Sequence, residues 1–346
     1  MLFSRKNILL IVLLFFTMNY FLTSCSNSVD DNGFVKVRVA CFPNLTHSQA
    51  LVGMAEGQFQ KALGGKNQIE WKMFNAGPSE IEALFAGEVD IGYIGPVPAI
   101  NGCVKSKGDL QIIAGATDAG AILVSRKDLL IKDIKELGGK KVAIPQFGNT
   151  QDLVLRAILK DNGLRDATKG GTVQIVQAEN SDIKMLLDRG DIDAALVPEP
   201  WGTRLIKEVG ARVVLDYNQV YKQGEYTSAV VIARKEFINE HPDIVRKFIQ
   251  THVQLTKYIN EKNDAVKTVL NLQINKLTKT SIPEDILAAS FKKLIITNNP
   301  EKDSILSFAK MSKELGLINQ EPEIEKLINL DILNDVLKES GQNEMK

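Results

Sequence analysis

Asn149, Thr150 and Gln151 stand where a short strand pattern (Lys141 to Pro145) turns through Gly148 into a helix pattern. The helix shows in the spacing of Leu153, Val154, Ala157 and Ile158, and Asn162-Gly163 supplies its stop. At such a junction the first backbone N–H groups have no intrahelical acceptor, and the positive end of the helix dipole faces outward. Asn149 and Thr150 occupy N-cap positions, where their side chains accept from those amides. The chemistry on offer is capture of an anion by uncharged donors. Taken alone, the same residues would also make an ordinary capped strand–helix unit.

Other chemistries lack their residues. The chain has no G-x-x-x-x-G-K-[ST] phosphate loop, no H-E-x-x-H, no G-x-S-x-G and no clustered Cys/His set. Its three histidines, His47, His241 and His252, are scattered. No cofactor or metal is expected. Basic and acidic residues balance at 42 each and basic residues are dispersed, so no nucleic-acid partner is indicated.

The N-terminus reads as a targeting segment. Arg5 and Lys6 precede an apolar run from Ile8 to Phe16, and small residues precede Cys25 in Leu22-Thr-Ser-Cys25. Thr17, Asn19 and the Thr23–Ser24 pair interrupt the run before it spans a bilayer. Residues 1–24 are expected to be an export signal, with 25–34 a polar tether. Loss of Arg5 and Lys6 leaves a small excess of acidic over basic residues. Cys41 and Cys103 either pair or remain buried thiols, the second being the better reading because one bridge is not a disulfide framework.

The elements that must position the 149–151 loop come in a repeated order. Sliding the chain by 103 residues lays Val39-Ala40 on Val142-Ala143, and the loop ending at His47 on the loop ending at Thr150. The same shift lays Leu84-x-x-Gly-Glu-Val-Asp90 on Leu187-x-x-Gly-Asp-Ile-Asp193. Two βαβαβ units of like build are implied, each a mostly parallel sheet with helices on its faces. Ligands bind outside the carboxyl ends of such strands, so the 43–47 and 146–151 loops should form opposite walls of one cleft. Ala121 to Ser125 and Thr227 to Ala233 are expected to pair as crossing strands. Helices follow from Pro242 and should pack back on the first lobe. The expected fold is thus α/β in two similar lobes, 35–122 with 228–346 and 123–227.

Pro43-Asn-Leu-Thr-His47, Phe74-Asn-Ala-Gly-Pro-Ser79, Gly87-Glu-Val-Asp-Ile-Gly92, Gly148-Asn-Thr-Gln-Asp152 and Val197-Pro-Glu-Pro-Trp201 follow one another in order. Together they resemble the solute-binding proteins of bacterial ABC importers, in the group that handles aliphatic sulfonates, taurine and nitrate. The Cys25 motif is similar to a bacterial lipobox, which implies acylation at Cys25 and an extracytoplasmic protein held to the membrane by lipid. The resemblance implies a type II periplasmic-binding fold, a small organic anion or zwitterion in the cleft, and delivery to a permease and its ATPase. It implies ligand contacts from Thr46, His47, Ser79, Gly95, Pro96 and Thr117 on one lobe. On the other it implies Asn149, Thr150, Gln151, Glu199 and Trp201.

Several of these have a plainer reading. Ser79 can cap its helix, Trp201 can pack in the core, and His47 can begin a surface helix. Glu199 either meets the ammonium of a zwitterion such as taurine or bonds within its lobe. No arginine occurs in these loops. A nitrate, or a thiamine-precursor pyrimidine facing Tyr93, Phe147 and Trp201, is the alternative ligand. An enzyme on the same scaffold is a further reading, though no nucleophile–base pair is visible.

Overall fold

The structure, a computed structural model, describes residues 29–30 and 34–345. The export-signal reading and Cys25 lie outside these residues. In chain order the first half contains β1 (Val29–Asp30), β2 (Phe34–Cys41), α1 (Ser48–Ala55), α2 (Gln58–Leu63), β3 (Asn67–Met73), α3 (Gly77–Phe85), β4 (Ile91–Ile94), α4 (Pro96–Lys105) and β5 (Leu110–Ala119). The second unit contains β6 (Ala121–Ser125), β7 (Lys141–Ile144), α5 (Thr150–Asp161), β8 (Gln174–Gln177), α6 (Asn180–Arg189), β9 (Ala194–Pro198), α7 (Trp201–Val209), β10 (Arg212–Leu215) and α8 (Tyr217–Val220). The chain then returns through β11 (Thr227–Arg234) to α9 (Lys235–Glu240), α10 (Pro242–Glu261), α11 (Asn263–Thr278), α12 (Glu284–Phe291), β12 (Leu294–Ile296), α13 (Lys302–Glu314), α14 (Ile324–Leu327) and α15 (Asp331–Glu339).

Two sheets result, a seven-stranded one in the order β1-β2-β4-β11-β5-β12 with β3 beside β2, and a five-stranded one in the order β10-β6-β9-β7-β8. The repeat appears in their register. Val39 pairs with Ile91 in the first sheet and Val142 with Ala194 in the second, both parallel and both offset by the same shift. Even a side-chain bond recurs: Asp90 accepts from the Arg38 amide (2.9 Å), and Asp193 from the Lys141 amide (2.8 Å). An aspartate at the start of the third strand thus ties it to the first in each unit.

The sheets are mixed where mostly parallel ones were expected. Strands β3-β2-β4 and β8-β7-β9 run parallel, but β11 enters antiparallel beside β4, and β6 antiparallel beside β9. The expected pairing of β6 with β11 is corrected by the same contacts. Each takes the equivalent position in a different sheet, because each can satisfy its amides on the open edge of the third strand of a unit. The chain crosses between sheets at Gly120, where Ala119 (φ 61°) and Gly120 (φ 84°) are both left-handed. A Cβ on Gly120 would lie 2.2 Å from Leu294, so the crossing also requires the bare backbone.

The C-terminal helices cover the first sheet: Phe248, Ile249, Leu270, Leu287, Leu333 and Leu337 pack with Val37, Val39, Leu51 and Tyr93 in one cluster. A second cluster joins the other face of this sheet (Ile94, Val230) to the second unit through α4 and α13 (Ile100, Phe308, Leu155, Leu196). Within the C-terminal stretch expected to be helical, α12 ends at Phe291, and Leu294–Ile296 instead pairs with the far edge of β5. Cys41 and Cys103 are buried free thiols. Among the described residues, no helix is long and apolar enough to cross a membrane.

Candidate functional site

The C-terminal ends of the central strands of both sheets meet at a small cavity of about 40 Å³. Helices that follow the parallel strands β3, β4, β7 and β8 point their N-termini at it. Ala76 and Gly77 start α3, Gly95 precedes α4, Asn149 to Gln151 start α5, and Asn180 starts α6; all line the cavity. Two of these helices come from each unit; α3 and α6 are an equivalent pair under the repeat, with Gly77 matching Asn180. The lining contains no Asp, Glu, Lys or Arg. Positive helix ends without a charged side chain make a site for an anion held by neutral donors.

Local chemistry keeps it that way. The Asn149 side chain accepts from the Asp152 amide (2.8 Å) and so caps α5, leaving the Thr150 and Gln151 amides without an intrahelical acceptor. Asp152 accepts from the Gly148 amide and from Arg156, which also holds Asp166. The Asp152 carboxylate is therefore paired within its own unit. Thr150 Oγ1 and Asn180 Oδ1 are buried with no hydrogen-bond partner among the described residues.

His47 lines the opposite wall, stacked on Phe42 with ring centroids 4.4 Å apart. Its Nδ1 accepts from the Phe42 amide (3.1 Å), so the neutral ring carries its proton on Nε2. Burial lowers its pKa to about 3, and the ring serves as an uncharged N–H donor at neutral pH.

Of the residues singled out from sequence, Thr46, His47, Gly95, Asn149, Thr150 and Gln151 line the cavity. Pro96 begins α4 behind Gly95. Thr117 lies one layer deeper, its hydroxyl donating to the Thr46 carbonyl (2.8 Å). Ser79 bonds across the two units instead, accepting from Gln146 Nε2 (3.0 Å). Trp201 lines a neighbouring chamber, and its Nε1 donates to Asn44 Oδ1 across the units (3.2 Å).

Glu199 corrects the expectation that its carboxylate faces the ligand. It is fully buried, accepting from the Thr203 amide (3.1 Å), Thr203 Oγ1 (2.7 Å) and Ser290 Oγ (3.0 Å), with Lys293 at 3.3 Å. Strand alternation is the reason: Pro198 takes the cavity side, and the next side chain points the other way. The site also includes Asn44, Asn75, Asn180 and Ser228, which sequence reading missed. Asn180 was within reach, since the repeat lays it on Gly77.

A profile of the NMT1-like family matches residues 31–273. The taurine-binding periplasmic protein of Escherichia coli K12 is 32% identical over 238 residues, 68% of this chain and 70% of that protein. A putative aliphatic sulfonates-binding protein of Bacillus subtilis 168 is 26% identical over 228 residues, 64% and 65% of the two chains. Among solved structures, the alkanesulfonate-binding protein of Xanthomonas axonopodis pv. citri bound to MOPS aligns with a TM-score of 0.72 at 14% identity, over 88% of this chain and all of that one. The nitrate-binding protein of Synechocystis PCC 6803 aligns equally well (0.72, 14%, 88% of each chain). These structures share the two-unit fold. With its profile match spanning well over half the sequence, the chain belongs to the NMT1-like family.

Proposed function

We propose that this protein is the extracytoplasmic solute-binding component of an ABC importer, and that its cavity captures an organic anion such as a sulfonate. One observation carries the reading: four helix N-termini, two from each unit, converge on a cavity lined only by uncharged groups. A trigonal or tetrahedral oxyanion suits such a lining, with oxygens directed at the Thr150 and Gln151 amides, the Thr150 hydroxyl and His47 Nε2. The units 35–122 with 228–346 and 123–227 would close on it about Gly120. The sulfonate- and taurine-binding relatives support this ligand class. The pyrimidine alternative is weakened because none of its expected aromatic residues lines the cavity: Tyr93 is buried, Phe147 is exposed, and Trp201 lies next door.

Asn149→Asp tests the reading. Aspartate caps a helix as well as asparagine, so the fold should persist, but it places a carboxylate at the anion's seat. Methanesulfonate should stabilise the wild type by about 2.7 kcal/mol at a hundred times its Kd. In the variant its affinity should fall at least tenfold. Unchanged affinity for every sulfonate and nitrate would remove the helix ends from the binding site.

The lipobox reading places Cys25 as the acylated mature N-terminus, tethering the binding protein near its permease. Cys25→Ala should abolish metabolic palmitate labelling of the mature protein. Persistent labelling in that variant would rule out Cys25 as the anchor.

A further inference from the structure

We infer that Ser79 and Trp201 are positioning residues that latch the two units together over a bound ligand without touching it, and so set affinity for every ligand alike; this rests on the closing two-unit reading above. Two side-chain hydrogen bonds cross between the units. Gln146 Nε2 donates to Ser79 Oγ at 3.0 Å, and Trp201 Nε1 donates to Asn44 Oδ1 at 3.2 Å. Gln146 follows β7 in the second unit and Asn44 follows β2 in the first, in loops that are equivalent under the repeat. Each loop reaches the first turn of a helix in the other unit, α3 at Ser79 and α7 at Trp201. The arrangement is reciprocal: each unit extends one loop and receives one. Both contacts adjoin the anion cavity, which is lined by Asn44 itself and by Pro145 and Asn149 on either side of Gln146.

These side chains do not line the anion cavity: Ser79, Gln146 and Trp201 are all outside its wall. Nor does Ser79 cap its helix, since it is the third residue of α3 and the N-cap position is Ala76. The partners in each bond belong to units with separate sheets, so opening about Gly120 parts both bonds and closing restores them. In an empty protein that is mostly open, only the closed fraction holds a ligand tightly. A bond that favours closure therefore raises affinity by one factor, whatever the ligand is. A group that touches the ligand behaves differently, because its worth changes with the chemistry it meets. That difference separates a latch from a binding contact.

Ser79→Ala and Trp201→Phe each remove one bond and little else. Alanine suits a helix better than serine, and phenylalanine keeps an aromatic ring beneath Arg204, which lies 4.8 Å from the Trp201 ring. Calorimetric titration with methanesulfonate, nitrate and taurine should show each variant binding about two- to twelvefold more weakly, by the same factor for every ligand that the wild type binds. In the double variant the losses should multiply, to roughly five- to 150-fold. Gln146→Ala should match Ser79→Ala and add nothing to it, because both remove the same bond. Wild-type affinity in either single variant, losses that differ between ligands, or a further loss on adding Gln146→Ala to Ser79→Ala overturns the latch while sparing the anion site. If the wild type binds only one of the three ligands, the Ser79–Gln146 cycle decides by itself. Binding of none overturns the anion reading and the latch with it.

Discussion

Replacing Gly95 with alanine should weaken anion binding by about five- to 150-fold while leaving the empty protein as stable as before, the range that follows from an overpacking cost of about 1–3 kcal/mol. Gly95 has φ −67° and ψ 150°, a conformation open to any residue, so alanine adds no backbone strain. Its Cβ, however, would lie 2.6 Å from Thr150 Oγ1 on the opposite wall. Thr150 is β-branched and heads α5, which restricts the rotamers by which it can yield. Under the proposed closure the clash arises as the two units come together, so the variant should populate the open form. Small-angle scattering at saturating sulfonate should give a larger radius of gyration than for the wild type. Thr150→Ala in the same chain should restore the compact form. Wild-type affinity in Gly95→Ala would show that closure does not bring these walls together.

Asp118→Asn should become progressively more stable than the wild type as pH rises. Asp118 lies on β5 just before the crossing, 5% exposed, and its Oδ1 has no partner among the described residues. Burial first, then the nearby Glu301 carboxylate, raises its pKa to about 8 from an ordinary 3.8. The folded state therefore holds a proton that the unfolded chain releases. Its stabilising effect is complete below pH 3.8 and is lost as pH rises to about 8, at roughly 1.4 kcal/mol per pH unit. Asparagine keeps the shape and has no proton to lose. His47 and His252 act in the other direction. Their folded pKa values, about 3 and about 4, lie below the ordinary 6.5, so their contribution fades as pH falls below 6.5. The wild-type profile alone would mix these effects, and the difference between variant and wild type isolates Asp118. Urea unfolding at pH 5, 6, 7 and 8 gives that difference, and parallel profiles would mean Asp118 is ionised in the fold.

The repeat carried most of what was legible. Hydrophobic spacing located β2, β4, β7 and β9 because buried strands must be apolar. The shared shift then fixed their mutual register, down to Asp90 and Asp193. Asn149 to Gln151 were legible because a helix cap is a local matter, decided by residues three apart. Glu199 was not, because its direction depends on the side of a strand end and on Ser290 and Lys293, ninety residues away. The buried His252 was equally hidden: its Nδ1 meets Tyr93 Oη and its Nε2 the Gly115 carbonyl, both at 2.8 Å, and no pattern in a helix announces such partners. Strand β12 was lost for a similar reason. Leu294–Ile296 continues a helical apolar run and becomes a strand only because β5 offers it an edge.

The placement of β11 has a mechanical consequence. The chain leaves the first sheet after Ala119 and re-enters it at Thr227, and the two points touch: the Ala119 amide donates to the Tyr226 carbonyl (2.9 Å), and the Ala121 amide to Tyr226 Oη (3.2 Å). The first described strands and the last helix both belong to the first sheet and its core. A force applied between the two ends of the described chain is therefore borne by strands that are paired side by side. The second unit, although packed against the first, is inserted as a side loop outside that load path.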